Sequence, residues 1–432
     1  MFKRSKFYQN TLCLLGSVGL GMVTAQAASF SVSGGYTFDA NMLSNYDLTS
    51  NEPAGYGNTA SYWSHRFILR PDVLIDDRFT IRSELNMLHQ LGSDYDATAQ
   101  NKVSGAAGSA LDSSLSTDAG SQMIQVRKAY LEWASDWGVF KIGRQSKDWG
   151  LGILYNTGGT ASKVNDTIVD RVGFEGMVGN LHLQFGFEKG KEGKLTDDSD
   201  DAESYEVAVE YINEENGFNV GLLYNRTVAS AGAGSKFDSE NLLGIYTKKK
   251  WGSMNLGGEF VSRGYETGDA QYGGLVKILY KPASFSLGID AGYASANGNS
   301  NYKFQSNYKP LLILFNDVVG PTAGHTVRTN ANVGNAVGSG TGAGAAFGVL
   351  STSYTFASGN YTLGGNVGYA QLVKQGTNAD KALGTEVDLH LSQKWYDNFQ
   401  TSYAVGMLFP GKGFGSDAQA AWGTKIAGAL TF

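Results

Sequence analysis

The sequence has a single cysteine, Cys13, and only six prolines in 432 residues. Charged residues make up only 17% of the chain, and the mean hydropathy is −0.22. No apolar run is long enough for a spanning helix, which needs about 20 consecutive apolar residues. These shortages exclude a helical membrane protein, a disulfide scaffold and a thiolate metal site. The longest apolar run, Leu12 to Val23, follows Lys3, Arg4 and Lys6 and precedes Ala25-Gln26-Ala27. A basic start, a short apolar core and small residues at −3 and −1 predict a signal peptide over 1–27, with residues 28–432 as one domain. Cys13 falls inside that segment. Lys6-Phe7-Tyr8-Gln9-Asn10 precedes it, not the apolar stretch that a lipoprotein needs. Cleavage would remove three basic and no acidic residues, taking the net charge from −6 to about −9, which argues against nucleic acid as a partner.

What is abundant is glycine, at 58 residues, and tyrosine, at 23. That mixture suits strands and flexible loops. Alternation recurs along the chain: Leu181–Glu188, Tyr205–Tyr211, Leu383–Leu391, Phe399–Met407 and Trp422–Phe432 each place apolar residues on one face. Period two is the strand period. Short turn signals sit at 75–78, 135–138, 178–180, 213–216, 251–253, 281–283, 357–360 and 396–398. Long polar stretches fall near 41–60, 90–120, 146–166, 189–203, 228–238, 263–270, 296–345, 372–381 and 410–418.

Short and long connections therefore alternate throughout. The pattern predicts an all-β fold: a transmembrane antiparallel up-and-down β-barrel of about 18 strands, with short periplasmic turns and long extracellular loops. A soluble sandwich would also alternate, but a chain of this size would need linkers between two or three of them, and none is visible. Aromatics such as Trp133, Trp251, Trp395 and Tyr396 flank the short turns, and Tyr224, Tyr293 and Phe409 lie near the long ones, as two interfacial girdles would. The expected setting is the Gram-negative outer membrane, with its lipid and lipopolysaccharide as surroundings. Phe432 completes the lipid-facing row Trp422, Thr424, Ile426, Leu430 of a closing strand, and it is the expected signal to the insertion machinery.

Strand parity then sorts the charges. With Trp63, Phe67 and Leu69 outward, Arg66, Arg70 and Asp72 turn inward; with Ile81, Leu85 and Met87 outward, Arg82 and Glu84 do. Arg171 follows the same rule. Arg127, Lys141 and Arg144 join this basic wall with less regular parity, and a bulge is one way to bring them in. Later strands turn in Glu206, Glu210, Glu259, Asp290, Glu386 and Asp388, an opposing acidic wall with Lys277 as an exception. Three arginines, Arg66, Arg70 and Arg82, would outnumber Asp72 and Glu84. Two apolar stretches, Trp149–Asn156 and Leu311–Phe315, are unsuited to free outer loops and are expected inside the barrel or against another subunit, so a homo-oligomer is compatible with the sequence.

The stretches Lys141-Ile142-Gly143-Arg144-Gln145 and Trp149-Gly150-Leu151-Gly152, with Gly384-Thr385-Glu386-Val387-Asp388 and Leu408-Phe409-Pro410-Gly411, resemble the alginate-export type of outer-membrane barrel and related Gram-negative porin-like proteins. The resemblance implies a pore for anionic polysaccharide, lined here by Arg66, Arg70, Arg82, Arg127, Arg144 and Arg171. Two functional readings stand at this point. One is a channel for small or anionic solutes, uronate chains included. The other is a surface barrel acting as adhesin, receptor or structural element. His89 beside Asp94 and Asp96 is the one pairing with catalytic character, and Asp197–Asp201 reads better as a solvated acidic loop than as a calcium site. No enzyme, metal or cofactor is expected.

Overall fold

The computed structural model describes residues 28–45, 48, 59–87, 90–91, 124–157, 166–191, 202–229, 239–265, 270–297, 300–302, 304, 308–315, 344–374, 380–414, 416 and 418–432. The signal segment 1–27 lies outside them, as do His89, Asp94, Asp96, Asp197–Asp201 and His325.

Alternating apolar and polar or glycine residues give strands throughout. In chain order they are β1 (Ser29–Ser44), β2 (Thr59–Leu74), β3 (Phe79–Met87, resumed at Gln90–Leu91), β4 (Ile124–Ser135), β5 (Gly138–Lys147) and β6 (Thr167–Val178). Next come β7 (Leu181–Lys191), β8 (Ala202–Asn213), β9 (Phe218–Ala229), β10 (Glu240–Trp251), β11 (Met254–Tyr265) and β12 (Gln271–Tyr280). The set ends with β13 (Phe285–Ala294), β14 (Ala345–Phe356), β15 (Tyr361–Leu372), β16 (Ala382–Tyr396), β17 (Phe399–Pro410) and β18 (Ala421–Thr431). Each strand pairs antiparallel with its sequence neighbours, and β18 pairs back onto β1 from Gly35↔Thr431 to Ser44↔Trp422. Among the described residues the result is a closed antiparallel barrel of 18 strands, in which no sheet edge is left.

All eight short connections fall where the turn signals stand. Their chemistry is local. Asp76 Oδ1 accepts from the backbone N–H groups of Arg78 and Phe79 at 2.7 and 2.9 Å, closing the first turn. Gly179 and Gly252 take φ of 61° and 57° in two-residue turns, a backbone region costly for any residue with a Cβ.

The outer face is apolar. Trp63, Ile142, Val172, Leu222, Val276, Leu350, Leu389 and Ile426 all stand exposed there, as a lipid-facing band requires. Near the short turns, ring neighbours run unbroken across five strands: Phe79–Trp133, Trp133–Phe140, Phe140–Phe174 and Phe174–Phe185, with centroids 4.9–6.4 Å apart. This is one of the two girdles that the sequence predicts.

The seam closes on Phe432. Its backbone exchanges two hydrogen bonds with Gly34, at 2.9 and 3.1 Å, and its ring lies 6.0 Å from that of Phe67. Phe432→Ala removes the ring contact alone, whereas deleting Phe432 removes the backbone pair as well. We expect the folded, fast-migrating band on unheated gels to weaken for Phe432→Ala and nearly vanish for the deletion, with export unchanged. Equal band intensities in all three proteins would refute the role of this residue in closure.

Candidate functional site

Strands β2–β8, with Asp166 just before β6, carry three clusters of inward charge. The first holds Arg66, Arg70, Arg127 and Lys128 with Glu84 and Asp166. Arg70 Nε donates to Glu84 Oε2 at 2.7 Å; Lys128 Nζ lies 3.5 Å from the same oxygen and 3.0 Å from Asp166 Oδ2; Arg127 donates to Asp166. Arg66, 6% exposed, lies within the field of Arg127, Glu84 and Asp166. Arg70, Arg127 and Lys128 therefore share two carboxylates among the described residues, with Arg66 beside them. The second cluster, nearer the short turns, reverses this balance. Arg82 bonds Asp72 at 2.8 Å and Glu132 at 2.9 Å, and Lys141 holds Glu175 at 2.8 Å, so two cations face three acids. In the third, Lys147 meets Glu188 and Glu206 at 2.6 and 2.5 Å, and Arg171 Nη1 lies 3.1 Å from Glu206.

Several sequence assignments change. Arg82 is not part of an excess beside Arg66 and Arg70, because Glu132 on the next strand joins Asp72 in neutralising it. Arg144 is not pore-lining. It shares parity with Ile142, stands on the outer face, and forms a two-pronged pair with Asp170, also outward, at 2.9 and 2.7 Å. Arg127 does turn inward, through the irregularity that the sequence only suggested. Glu84 pairs with Lys128 while Leu85 pairs with Val126, so Arg127 is the extra residue of a bulge. The same bulge puts consecutive Arg127 and Lys128 into the lumen, which regular alternation forbids. Lys128 was therefore missed, and so was Lys147, although it shares the inward parity of Lys141 and Gln145.

The acids of the far side do not form an open wall. Glu206 belongs with Lys147 and Arg171, on the basic side. Glu210 accepts from Gln184 and from the Tyr246 hydroxyl at 3.0 and 2.8 Å, and Asp290 takes Lys277 and the Tyr308 hydroxyl, both at 2.9 Å. Glu259, Glu386 and Asp388 are covered. Two loop segments fold into the lumen over them, and their backbone N–H groups donate to these carboxylates. Leu151 donates to Glu259 Oε2 at 2.6 Å and Ile153 to the same oxygen at 3.4 Å. Ile313 and Leu314 each donate to Glu386, one to each oxygen, at 2.6 Å, and Leu312 to Asp388 Oδ2 at 3.1 Å.

The side chains of the two segments make a core inside the barrel. Trp149, Ile153, Leu154, Tyr302, Phe304, Leu311, Ile313, Leu314 and Phe315 are buried there against the inward residues Leu223, Leu242, Val261, Leu275, Phe347 and Leu408. Inward glycines make the room. A Cβ on Gly244 would sit 2.9 Å from Trp149 Nε1, on Gly257 2.8 Å from Leu151 Cδ2, on Gly273 2.2 Å from the Tyr302 ring and on Gly368 2.3 Å from Leu311 Cδ1. The Tyr302 hydroxyl donates to the Ile153 carbonyl at 3.0 Å and so ties the segments together. The Lys147 ammonium lies 4.0 Å from the centre of the Tyr155 ring. Burial pushes the Tyr155 and Tyr302 phenols up, so both stay neutral.

The barrel is thus divided lengthwise into a half filled by loop segments and a half walled by charge. No family model matches the chain, and no curated protein does. Solved structures do. OccK9 (OpdG) of Pseudomonas aeruginosa is 14% identical at a TM-score of 0.57, over 93% of this chain and 98% of that chain. OccAB4 of Acinetobacter baumannii is 11% identical at 0.54, over 93% and 98%. The P. aeruginosa outer membrane protein OpdK, solved with vanillate, is 10% identical at 0.54, over 93% and 98%. The fold is that of the outer-membrane porins. The likeness supports a porin-like barrel and does not single out the alginate-export type.

Within this barrel, the glycine cradle is open to a direct test. Gly273→Val places methyl groups in the Tyr302 ring, while the exposed face of β12 is untouched. We expect the barrel to keep its folded gel mobility and the 302–315 segment to become accessible to protease added to the outside of cells. Unchanged protease resistance would mean that the segment does not depend on this cradle.

Proposed function

We propose that the protein is a Gram-negative outer-membrane channel, not an enzyme, for small solutes that carry an anionic group, most directly a carboxylate. The observation that carries this reading is the first cluster, where, among the described residues, Arg70, Arg127 and Lys128 share two acids. Arg70 is the most open of them, its side chain 40% exposed. A guanidinium presents paired donors that match a carboxylate, and an excess of positive charge in a narrow pore raises the local anion concentration. That OpdK was solved with vanillate is in keeping with such a solute. The uronate-polymer reading would use the same cations. Two segments pinned inside the barrel favour short solutes over a long chain. The lipid-facing band and the seam at Phe432 fit insertion in the outer membrane and contact with its lipids.

Reversal potentials in a salt gradient across a planar bilayer test the reading. The parent protein should prefer anions at low salt, and raising salt should erode the preference as the charges are screened. Arg70→Gln with Lys128→Gln should cut the anion-to-cation permeability ratio roughly twofold or more. Arg144→Gln, on the outer face, should leave it unchanged. A double variant with the parent's reversal potential at low salt would show that the cluster only braces the wall.

A further inference from the structure

We propose that Glu259, Glu386 and Asp388 are positioning residues that set the pore width by holding the two inward segments through backbone hydrogen bonds, and that their charge takes no direct part in ion selection. The inference rests on the channel reading above for its conductance arm and goes beyond it in naming what fixes the bore.

The argument starts from hydrogen-bond supply. The N–H groups of 151–153 and 312–314 lie inside the barrel, where the strand carbonyls are engaged in the ladders. An unpaired buried N–H is costly; Gly152 donates to the Trp149 carbonyl at 2.9 Å, and the N–H groups of Leu151, Ile153, Leu312, Ile313 and Leu314 take side-chain acceptors. A carboxylate is the side chain that accepts without donating, and two oxygens let it serve neighbouring amides. All three acids accept from these amides, Glu386 with both of its oxygens. Glu386 is fully buried, Asp388 is 4% exposed and Glu259 is 4% exposed, so none presents its charge to the lumen in this conformation. A fixed charge that selects ions must face the passing solution; these three face peptide.

The geometry also separates hydrogen bonding from charge. Glu259 uses one oxygen, Oε2, for both Leu151 and Ile153, and its Oε1 has no partner. Glu259→Gln can therefore keep the accepting carbonyl and lose only the charge. Asp388 likewise uses Oδ2 for Leu312, so Asp388→Asn keeps that bond. Glu259→Ala and Asp388→Ala remove both acceptor and charge.

The test has two arms. In the first, a nitroxide label is attached through Leu312→Cys, in a chain whose one natural cysteine, Cys13, lies in the predicted signal segment. Its spectrum reports the motion of the 308–315 segment and needs no transport. The label should be immobilised in the parent and in Asp388→Asn, and mobile in Asp388→Ala. In the second, single-channel recordings should give parent-like conductance for Glu259→Gln and Asp388→Asn. The alanine variants should show at least a twofold rise in conductance or frequent switching between levels, with reversal potentials near that of the parent. The proposal is overturned if the Gln and Asn variants move the reversal potential away from that of the parent. It is also overturned if the label stays immobile in Asp388→Ala. Should the alanine variants fail to fold on gels, the Gln and Asn variants still decide, because a charge-selecting role predicts their reversal potentials move and the positioning role predicts they stay. A null result for anion preference with a mobile label in Asp388→Ala would sink the channel reading and leave this one standing.

Discussion

A peptide segment pushed into a barrel brings amide hydrogens into a space whose walls have no backbone carbonyls to spare. The rest of the interior follows from this constraint. Strand closure uses the ladder groups of each strand on its two neighbours, so the loop amides that the loops' own carbonyls do not take, as Trp149 takes Gly152, must be satisfied by side chains. Carboxylates on β11 and β16 do it, and glycines on β10, β11, β12 and β15 give the loops space to approach. Apolar burial then adds its weight. Trp149, Ile153, Ile313 and Phe315 leave water together, and each such side chain contributes about 1.5–3 kcal/mol when fully buried. The polar bonds fix where the segments lie, while the apolar core keeps them inside.

The opposite half obeys a different rule. Among the described residues its charges are close to balanced pairwise, but the balance shifts along the wall, from two acids for Arg70, Arg127 and Lys128 in one cluster to three for two cations in the next. A cross-strand pair at partly exposed sites is worth little, about 0.2–1 kcal/mol, so such pairs leave the wall adjustable. The Lys147 cluster differs because it is buried under Tyr155, and removing one partner there would strand a charge at a cost of about 3–5 kcal/mol. It marks the border between the wall and the fill.

The architecture was largely legible because it rests on local signals. Turn residues recur at eight sites and loops between them, and both depend on chemistry within a few residues, as at Asp76 and Gly179. Inward parity was equally legible for Arg66, Arg82 and Arg171. It failed where alternation itself breaks or is taken for granted. Arg127 and Lys128 needed the bulge opposite Glu84, which is a property of two strands and not of one. Arg144 was assigned by its basic character when its parity with Ile142 pointed outward. The acids Glu259, Glu386 and Asp388 were read correctly as inward and then given the wrong surroundings, since nothing in their own strands says that Leu151 or Ile313 will lie on top of them. The apolar character of Leu311–Phe315 was the available clue. Inward glycines at 244, 257, 273 and 368, which leave room where a side chain would stand, were the other.

The lengthwise division of the barrel has a consequence for how such a protein can diverge. On the filled side, a change at one residue disturbs a packed core and several hydrogen bonds at once, so substitutions there are coupled and slow to accumulate. On the charged side, Arg70, Lys128 and Arg82 touch a few carboxylates each among the described residues. A substitution there disturbs one or two ion pairs and leaves the packed core alone. The two sides of one lumen are therefore under different constraints, one free to change residue by residue and the other only in concert.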